Sequence, residues 1–486
     1  MNNHNISRRK FCKYTFAGAA ALTVPGILSK CKSATRKPNI IFLFADDHNF
    51  NTLHALGNKE INTPNLDRLV ARSKQFTHAY NMGSWSGAVC MPSRMMLNTG
   101  RYLWKCKDAP AEQYPQGLMW SQRIKSAGYK TYMAGKWHVY YHGEWKEEVK
   151  PSDVFDVVGT LRPGMPKDTP EGYDRPKDEN DKSWLPWDRS KGGYWEGGKH
   201  WTEVQGEETV RFIEQASKED KPYFIYSAFN APHDPRQSPK EFVDMYPLDS
   251  ISTPKNFLPE YPYKDEIGSP KNLRDERLAP FPRTEYAVKV NRQEYYAIIT
   301  HMDKQIGLIL DKIDELGQGD NTYIFFTADH GLACGQHGLL GKQNLFDHSV
   351  RVPFLVSGPG IKGGTKCTTP IYLQDIMPTS LELANAEKQG IDFKSLMPLI
   401  HGDTTQHYNS IYGAYQNLQR MITKQGFKLL YYPEANVYLL FDLNADPFEM
   451  DNLAEQPAYA VKLKEMKAAL LELQIEMNDP MLKQNQ

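Results

Sequence analysis

The sequence predicts an α/β fold: a sheet covered by helices on both faces, followed by a smaller antiparallel sheet. Three observations predict it. The run Asn39–Phe44 has the pattern of a strand buried on both faces, and Tyr223–Phe229 reads as a further strand. Such runs alternate with segments of helical periodicity, among them Gln205–Ala216 and Gln293–Leu316. Beyond Asn409 the rhythm changes to short strands separated by turns.

The elements follow in order. Residues 1–37 read as a leader. Ser7-Arg8-Arg9-Lys10-Phe11-Cys12-Lys13 looks like a twin-arginine export signal, and the apolar run Phe16–Leu28 is too short to span a bilayer. The expectation is an exported, periplasmic or cell-surface protein without a transmembrane anchor. A second reading of Leu28-Ser29-Lys30-Cys31 is a lipid anchor at Cys31. Residues 38–405 then read as the main domain and 406–486 as a C-terminal subdomain.

Asp46-Asp47-His48 follow the first strand. Thr63-Pro64-Asn65 opens a helix, with Thr63 as N-cap and Pro64 at the first helical position. Tyr129–Ala134 is a strand, and Gln205–Ala216 is a helix feeding the strand Tyr223–Phe229. Gln293–Leu316 feeds Thr322–Thr327, and Val352–Ser357 is a further strand. Segments 140–201, rich in Gly, Pro, Trp and Tyr, and 235–283, rich in Pro and charge, read as long insertions that shape a site. Strands at Ser410–Tyr415, Arg420–Thr423, Lys428–Tyr432 and Val437–Phe441 make the small sheet, closed by a helix over Tyr459–Ile475.

Composition excludes some functions. The 58 Lys and Arg balance the 58 Asp and Glu, so the chain lacks the basic bias of a nucleic-acid binder. An anionic substrate must be attracted by a local cluster. Of six cysteines, Cys12 and Cys31 lie in the leader; Cys90, Cys106, Cys334 and Cys367 lack metal-clip spacing, and sequence does not pair them.

Ligands of α/β sheets gather at the C-terminal ends of strands. Asp46 and Asp47 occupy one such end, Asp329 and His330 another. Either pair alone reads as turn capping, but both in equivalent positions suit a hard divalent ion. Cys90-Met91-Pro92-Ser93-Arg94 begins a helix, so Cys90 sits where free amides favour negative charge. Residue type leaves its role open between nucleophile and buried core residue.

Cys90-Met91-Pro92-Ser93-Arg94 with Leu97-Asn98-Thr99-Gly100 resembles the signature of the formylglycine-dependent sulfatases. Thr63-Pro64-Asn65-Leu66-Asp67-Arg68-Leu69, Gly135-Lys136-Trp137-His138, Ala231-Pro232-His233, Thr327-Ala328-Asp329-His330-Gly331, Gly341-Lys342 and Phe441-Asp442-Leu443 follow in the family's order. The resemblance implies an alkaline-phosphatase-like fold: a large mixed β-sheet between helices, with a smaller C-terminal antiparallel sheet. It implies that a maturation enzyme oxidises Cys90 to formylglycine. It also implies one Ca²⁺ per chain held by Asp46, Asp47, Asp329, His330 and the modified Cys90. Many relatives carry Asn where His330 stands.

The family chemistry assigns roles. The aldehyde hydrate attacks sulfur, and His233 protonates the leaving oxygen. Lys342 holds a sulfate oxygen, while Lys136 and Arg94 stabilise sulfate and hydrate. His138 takes the proton of the second hydroxyl, and sulfate leaves as the aldehyde re-forms. His48, His54, His78, His337 and His348 read as structural. Trp184, Trp187, Tyr194, Trp195 and Trp201 could stack on sugar or pin their loop to the core, and Trp85 could face the pocket. A carbohydrate sulfate is the preferred substrate. Aryl or choline sulfate, and phosphate or phosphonate esters on the same scaffold, are the alternatives.

Overall fold

The run Asn39–Ala45 is buried along its whole length because it is the inner strand of an eight-stranded sheet. The computed structural model describes residues 36–143, 146–160, 170–173 and 175–484. The expected export signal at Ser7–Lys13 and the expected lipid-anchor position Cys31 lie outside them. Across the sheet the order is Thr365–Cys367, Lys74–Phe76, Phe354–Ser357, Thr322–Ala328, Asn39–Ala45, Tyr223–Ala228, Lys130–Gly135 and Val157–Val158. The five strands from Thr322–Ala328 to Val157–Val158 run parallel, whereas Phe354–Ser357 pairs antiparallel with both its neighbours.

Strand alternation sends Phe42 and Phe44 to one face. There Trp120 lies 5.2 Å from Phe42 and 5.1 Å from Phe224, and Arg94 stacks 4.6 Å over Phe44. The helix Trp201–Ala216 packs on strands Lys130–Gly135 and Tyr223–Ala228 and against the 31-residue helix Glu285–Glu315. That long helix begins earlier than its apolar spacing suggests. Thr284 caps it by accepting the amide of Ala287, and Glu285–Arg292 form its first turns.

Two local expectations change. Thr63 precedes the helix Pro64–Arg72 but does not cap it with its side chain. The Asp303 carboxylate, reaching from the long helix, accepts the amides of Asn65 at 3.1 Å and Leu66 at 2.6 Å. The expected strand Val352–Ser357 is split at Pro353. Arg351–Val352 joins a three-stranded sheet with Ala79–Tyr80 and Ile371–Tyr372, and Phe354–Ser357 joins the large one.

The C-terminal sheet has five strands in the order Val437–Asp442, Phe427–Tyr432, Gln419–Lys424, Ile411–Tyr415 and Gly83–Ser84. The first four are an antiparallel meander, and the fifth adds parallel, Ala414 opposite Gly83. Gly83 has φ +89°, and a Cβ there would lie 1.9 Å from the Ala414 carbonyl oxygen, so only glycine permits this pairing. Lys37–Gln486 form one compact unit. Among the described residues, no helix is long and apolar enough to cross a membrane.

Candidate active site

Backbone hydrogen bonds continue past the strand ends and fix the site. Asp329 N–H donates to Ala45 O at 3.2 Å, Lys136 N–H to Ala228 O at 2.9 Å and Asp46 N–H to Ala231 O at 3.1 Å. Asp329 and Asp46 therefore follow neighbouring parallel strands, and Lys136 follows Lys130–Gly135 of the same parallel set, with Tyr223–Ala228 between, all at the C-terminal ends. Gly135 is required before Lys136: its φ is +92° and a Cβ would meet the Ala228 oxygen at 1.9 Å.

Asp47 has φ +69° and His138 φ +61°, a region non-glycine residues enter only where the surroundings hold them. At Asp47 the holder is Tyr295 of the long helix. Its hydroxyl donates to Asp47 O at 2.6 Å and accepts from Asn49 N–H at 2.8 Å. Asp47 N–H donates to Asp329 Oδ1 at 3.2 Å.

Cys90 opens the helix Cys90–Thr99, whose residues are all buried and whose N-terminus has no side-chain cap. Around its Sγ stand His330 Nε2 at 3.2 Å, Lys342 Nζ at 3.3 Å and Asp47 Oδ1 at 4.0 Å. Lys342 Nζ donates to both Asp47 oxygens, at 2.8 and 2.9 Å. Arg94 Nε donates to Asp329 Oδ2 at 3.0 Å, and Lys136 donates to Asp46. His233 Nε2 lies 3.7 Å from Asp47 Oδ2. Cys90, Lys136, His138, His233 and Lys342 line one cavity of about 360 Å³, together with Arg274, Asp275 and Gln343. The structure thus brings the sequence-derived residues together. Arg94 and the four metal-site candidates lie beneath, fully or almost fully buried.

Electrostatics distinguishes these groups. Burial, reinforced by Asp46, pushes the Cys90 thiol up to about 11, against the pull of Lys136 and Lys342. The unmodified side chain is therefore a neutral thiol near pH 7, a weak nucleophile. Burial would raise the Asp46 carboxyl, but Lys136, His233 and Arg94 hold it well below the carboxylate range. Burial raises Asp47 in spite of Lys342. Burial alone would lower Lys342, yet Asp47 and Cys90 raise it well above its ordinary value, so it stays charged. Burial, with Lys136 and Arg94 nearby, holds His138 well below its ordinary value, a neutral base. Burial takes His233 down to about 3, opposed by Asp234.

The carboxylates of the set suit a hard divalent cation, and position 90 would suit it once its sulfur is replaced by the oxygen of a formylglycine. Single ligand atoms of Asp46, Cys90, Asp329 and His330 lie within 4.8 Å of one another. His330 Nδ1–H donates to Gly331 O at 2.8 Å, which leaves Nε2 as the lone-pair nitrogen facing the cluster. Asp46 Oδ1 is buried without a hydrogen-bond partner, and Asp47 is raised by burial. A cation among them would answer both.

Several contributors escape the sequence reading: Tyr295, Arg274, Asp275, Gln343, and Ser93, whose hydroxyl donates to Asp329 O at 2.8 Å. Of these, only Ser93 lies within a recognisable motif. Of the two readings of the insertion's aromatics, stacking on sugar or pinning the loop, the structure supports the second. Trp184, Tyr194, Trp195 and Trp201 are buried, Trp187 packs on a second apolar cluster, and neither they nor Trp85 line the cavity. They pin the loop. Tyr194 Oη donates to the carbonyls of Asn230 at 2.7 Å and His233 at 3.0 Å, so it positions the His233 turn. The four described cysteines are free thiols.

Comparison with known proteins agrees with this geometry. Residues 38–386 match the family profile described as Sulfatase, and residues 335–476 that described as N-sulphoglucosamine sulphohydrolase, C-terminal. The chain is 28% identical over 499 residues to an ulvan-active sulfatase of Formosa agariphila, covering 96% of this chain and 88% of that protein. It is 24% identical over 542 residues to an N-acetylglucosamine-6-O-sulfatase of Bacteroides thetaiotaomicron, covering 95% and 90%. A protein solved in complex with its substrate D-glucosamine-2-N,6-O-disulfate superposes with a TM-score of 0.70 at 22% identity, covering 91% of this chain and 99% of that one, and shares its fold. The Sulfatase profile spans well over half of the chain, which therefore belongs to the sulfatase family, sulfuric ester hydrolases of the alkaline-phosphatase-like fold.

Proposed function

We propose that this sulfatase acts on sulfated carbohydrates, with Cys90 converted to formylglycine by a maturation enzyme and one Ca²⁺ held by Asp46, Asp47, Asp329, His330 and the modified Cys90. The observation that carries the reading is the convergence of Cys90, Lys136, His138, His233 and Lys342 on one cavity above that donor set. The named activities of the ulvan-active and N-acetylglucosamine-6-O-sulfatase relatives support a sugar substrate. Formylglycine, once hydrated, would supply two hydroxyls on one carbon, and a Ca²⁺ held by Asp46, Asp47, Asp329 and His330 would lower the pKa of one of them.

The chain's own groups do the rest. Lys342, charged and 3.3 Å from the Cys90 Sγ, binds a sulfate oxygen. Lys136 and Arg94, fully buried, counter charge where water is excluded. His233 Nδ1–H donates to Asp234 O at 2.7 Å, which turns Nε2 to the leaving oxygen; the ring is neutral without substrate, and the negative charge of a bound sulfate ester would favour the protonated ring whose Nε2–H is the acid. His138, kept neutral, receives the proton of the second hydroxyl.

In this reading residues 38–405 carry the chemistry, 406–486 form a supporting subdomain, and the leader directs export. N-terminal sequencing of the secreted protein tests the last point. The central experiment is a screen of matured enzyme on sulfated mono- and disaccharides, with aryl and choline sulfates and a phosphate and a phosphonate ester alongside. Turnover confined to the phosphorus esters would overturn the reading.

A further inference from the structure

A second cavity, of about 310 Å³, adjoins the first. Its lining includes Arg175, Lys177, Lys271 and Arg277 with the rings of Tyr173 and Phe281, and among the described residues no carboxylate. Arg175 is committed: it is buried and its Nε donates to Glu294 at 2.8 Å. Lys271 is exposed, shares Glu260 at 3.3 Å and sits 5.2 Å over the Phe281 ring. Lys177 and Arg277 are exposed and have no ion pair among the described residues.

Local geometry ties this cavity to the active site. The turn Asp275–Leu278 is 3₁₀, with Arg277 N–H donating to Arg274 O at 3.1 Å. Side chains three apart on such a turn eclipse, so Arg274 and Arg277 project to the same side. Arg274 lines the active-site cavity, and its guanidinium lies 5.5 Å over Tyr173, which lines the second. Arg274 and Tyr173 are thus the wall between the two. Arg274 is itself neutralised, by Asp275 at 2.6 Å and Asp234 at 3.7 Å. The surplus positive charge lies beyond the wall, at Lys177 and Arg277, away from the scissile sulfate.

We propose that this basic cavity binds a second anionic group, a sulfate or a carboxylate, on the same glycan chain whose scissile sulfate occupies the active-site cavity. The substrate is then a polyanionic glycan, and isolated monosulfated sugars use only half of the binding surface. Two exposed cations without an ion pair among the described residues suit an anionic group: the guanidinium of Arg277 forks an oxyanion and Lys177 adds a point charge. The inference rests on the carbohydrate reading above.

The test uses the full chain with Cys90→Ala, which cannot turn over substrate. Calorimetry at low salt measures binding of dextran sulfate (sulfate without carboxylate), polygalacturonate (carboxylate without sulfate) and neutral dextran. The expected result is binding of at least one anionic polymer and none of dextran. Arg277→Gln with Lys177→Gln should raise the Kd of that polymer at least threefold and flatten its salt dependence. The polymer affected identifies the anion. A change below threefold for both polymers, or no binding of either, overturns the proposal. In matured enzyme the same pair of substitutions should lower kcat/KM at least threefold more on a multiply charged oligosaccharide than on its monosulfated unit; equal losses would also overturn it. Turnover of an aryl sulfate by matured wild-type protein is followed separately. Its absence would sink the sulfatase chemistry while the binding result stood on its own.

Discussion

Tyr295→Phe removes one oxygen and unsettles the site without touching a group that reacts. The hydroxyl serves two backbone groups, Asp47 O at 2.6 Å and Asn49 N–H at 2.8 Å, in residues 1% and 2% exposed. Its loss leaves both buried and unpaired, each at a cost of roughly 1–3 kcal/mol, so the folded state should lose roughly 2–6 kcal/mol. Asp47 also loses the bond that holds it at φ +69°, a conformation worth about 1–3 kcal/mol of strain. Its carboxylate contacts Lys342 and His330 at 2.8 and 3.1 Å, so a backbone shift moves the donor set. A displacement near 1 Å can cost about 100-fold in rate. Urea unfolding should report the stability loss, and matured enzyme should lose at least about tenfold in kcat on an aryl sulfate. Burial holds the Tyr295 phenol well above its ordinary value, so both deficits should be the same across neutral and mildly alkaline pH. A variant within about 0.5 kcal/mol of wild type with unchanged turnover would refute the positioning role.

Peptide mass spectrometry should find Cys90 as formylglycine after co-expression with a maturase, and Cys90→Ala should abolish turnover. In unconverted protein, the raised thiol should resist iodoacetamide at pH 8 and react faster as pH climbs toward about 11; full alkylation at pH 7 would contradict the burial argument. Chelation should abolish activity and lower the melting temperature, with elemental analysis reporting about one Ca²⁺ per chain; full activity in a metal-free preparation would exclude the metal. His233→Ala should lose more rate on sugar sulfates, whose alkoxides need a proton, than on an activated aryl sulfate. His138→Ala should leave a sulfate mass on the residue-90 peptide with either substrate, and the absence of that adduct would reverse the two assignments.

Much of the fold is legible where burial is symmetrical. Asn39–Phe44 and Thr322–Thr327 have neighbours on both sides and helices over them, so their apolar runs announce them. Edge strands such as Val157–Val158 and Thr365–Cys367 are two or three partly exposed residues and carry no such signal. The start of the long helix is hidden because Glu285–Arg292 mix charge with apolar residues, although Thr284 marks it. In the site, the residues that carry charge or a lone pair stand in short motifs and are readable. Those that hold them are not. Tyr295 looks like any aromatic of a helix, and Asp303 caps a helix more than two hundred residues away in sequence. The insertion's tryptophans leave both readings open in the sequence because composition does not say which way a ring faces.

The fifth strand of the C-terminal sheet has a temporal consequence. Gly83–Ser84 lies a few residues ahead of Cys90, yet its ladder partner is Ile411–Tyr415. Ala414 N–H donates to Met82 O and Gln416 N–H to Ser84 O, so these bonds clamp the approach to Cys90 from the far end of the chain. On a ribosome, that clamp is missing until residue 416 has emerged. For most of synthesis the segment around residue 90 is a loose end, open to a modifying enzyme. Contacts between positions so distant also form late in folding. The last part of the chain thus shuts the door on the first, and if Cys90 is converted as proposed, the interval before that closure is when it lies open to the modifying enzyme.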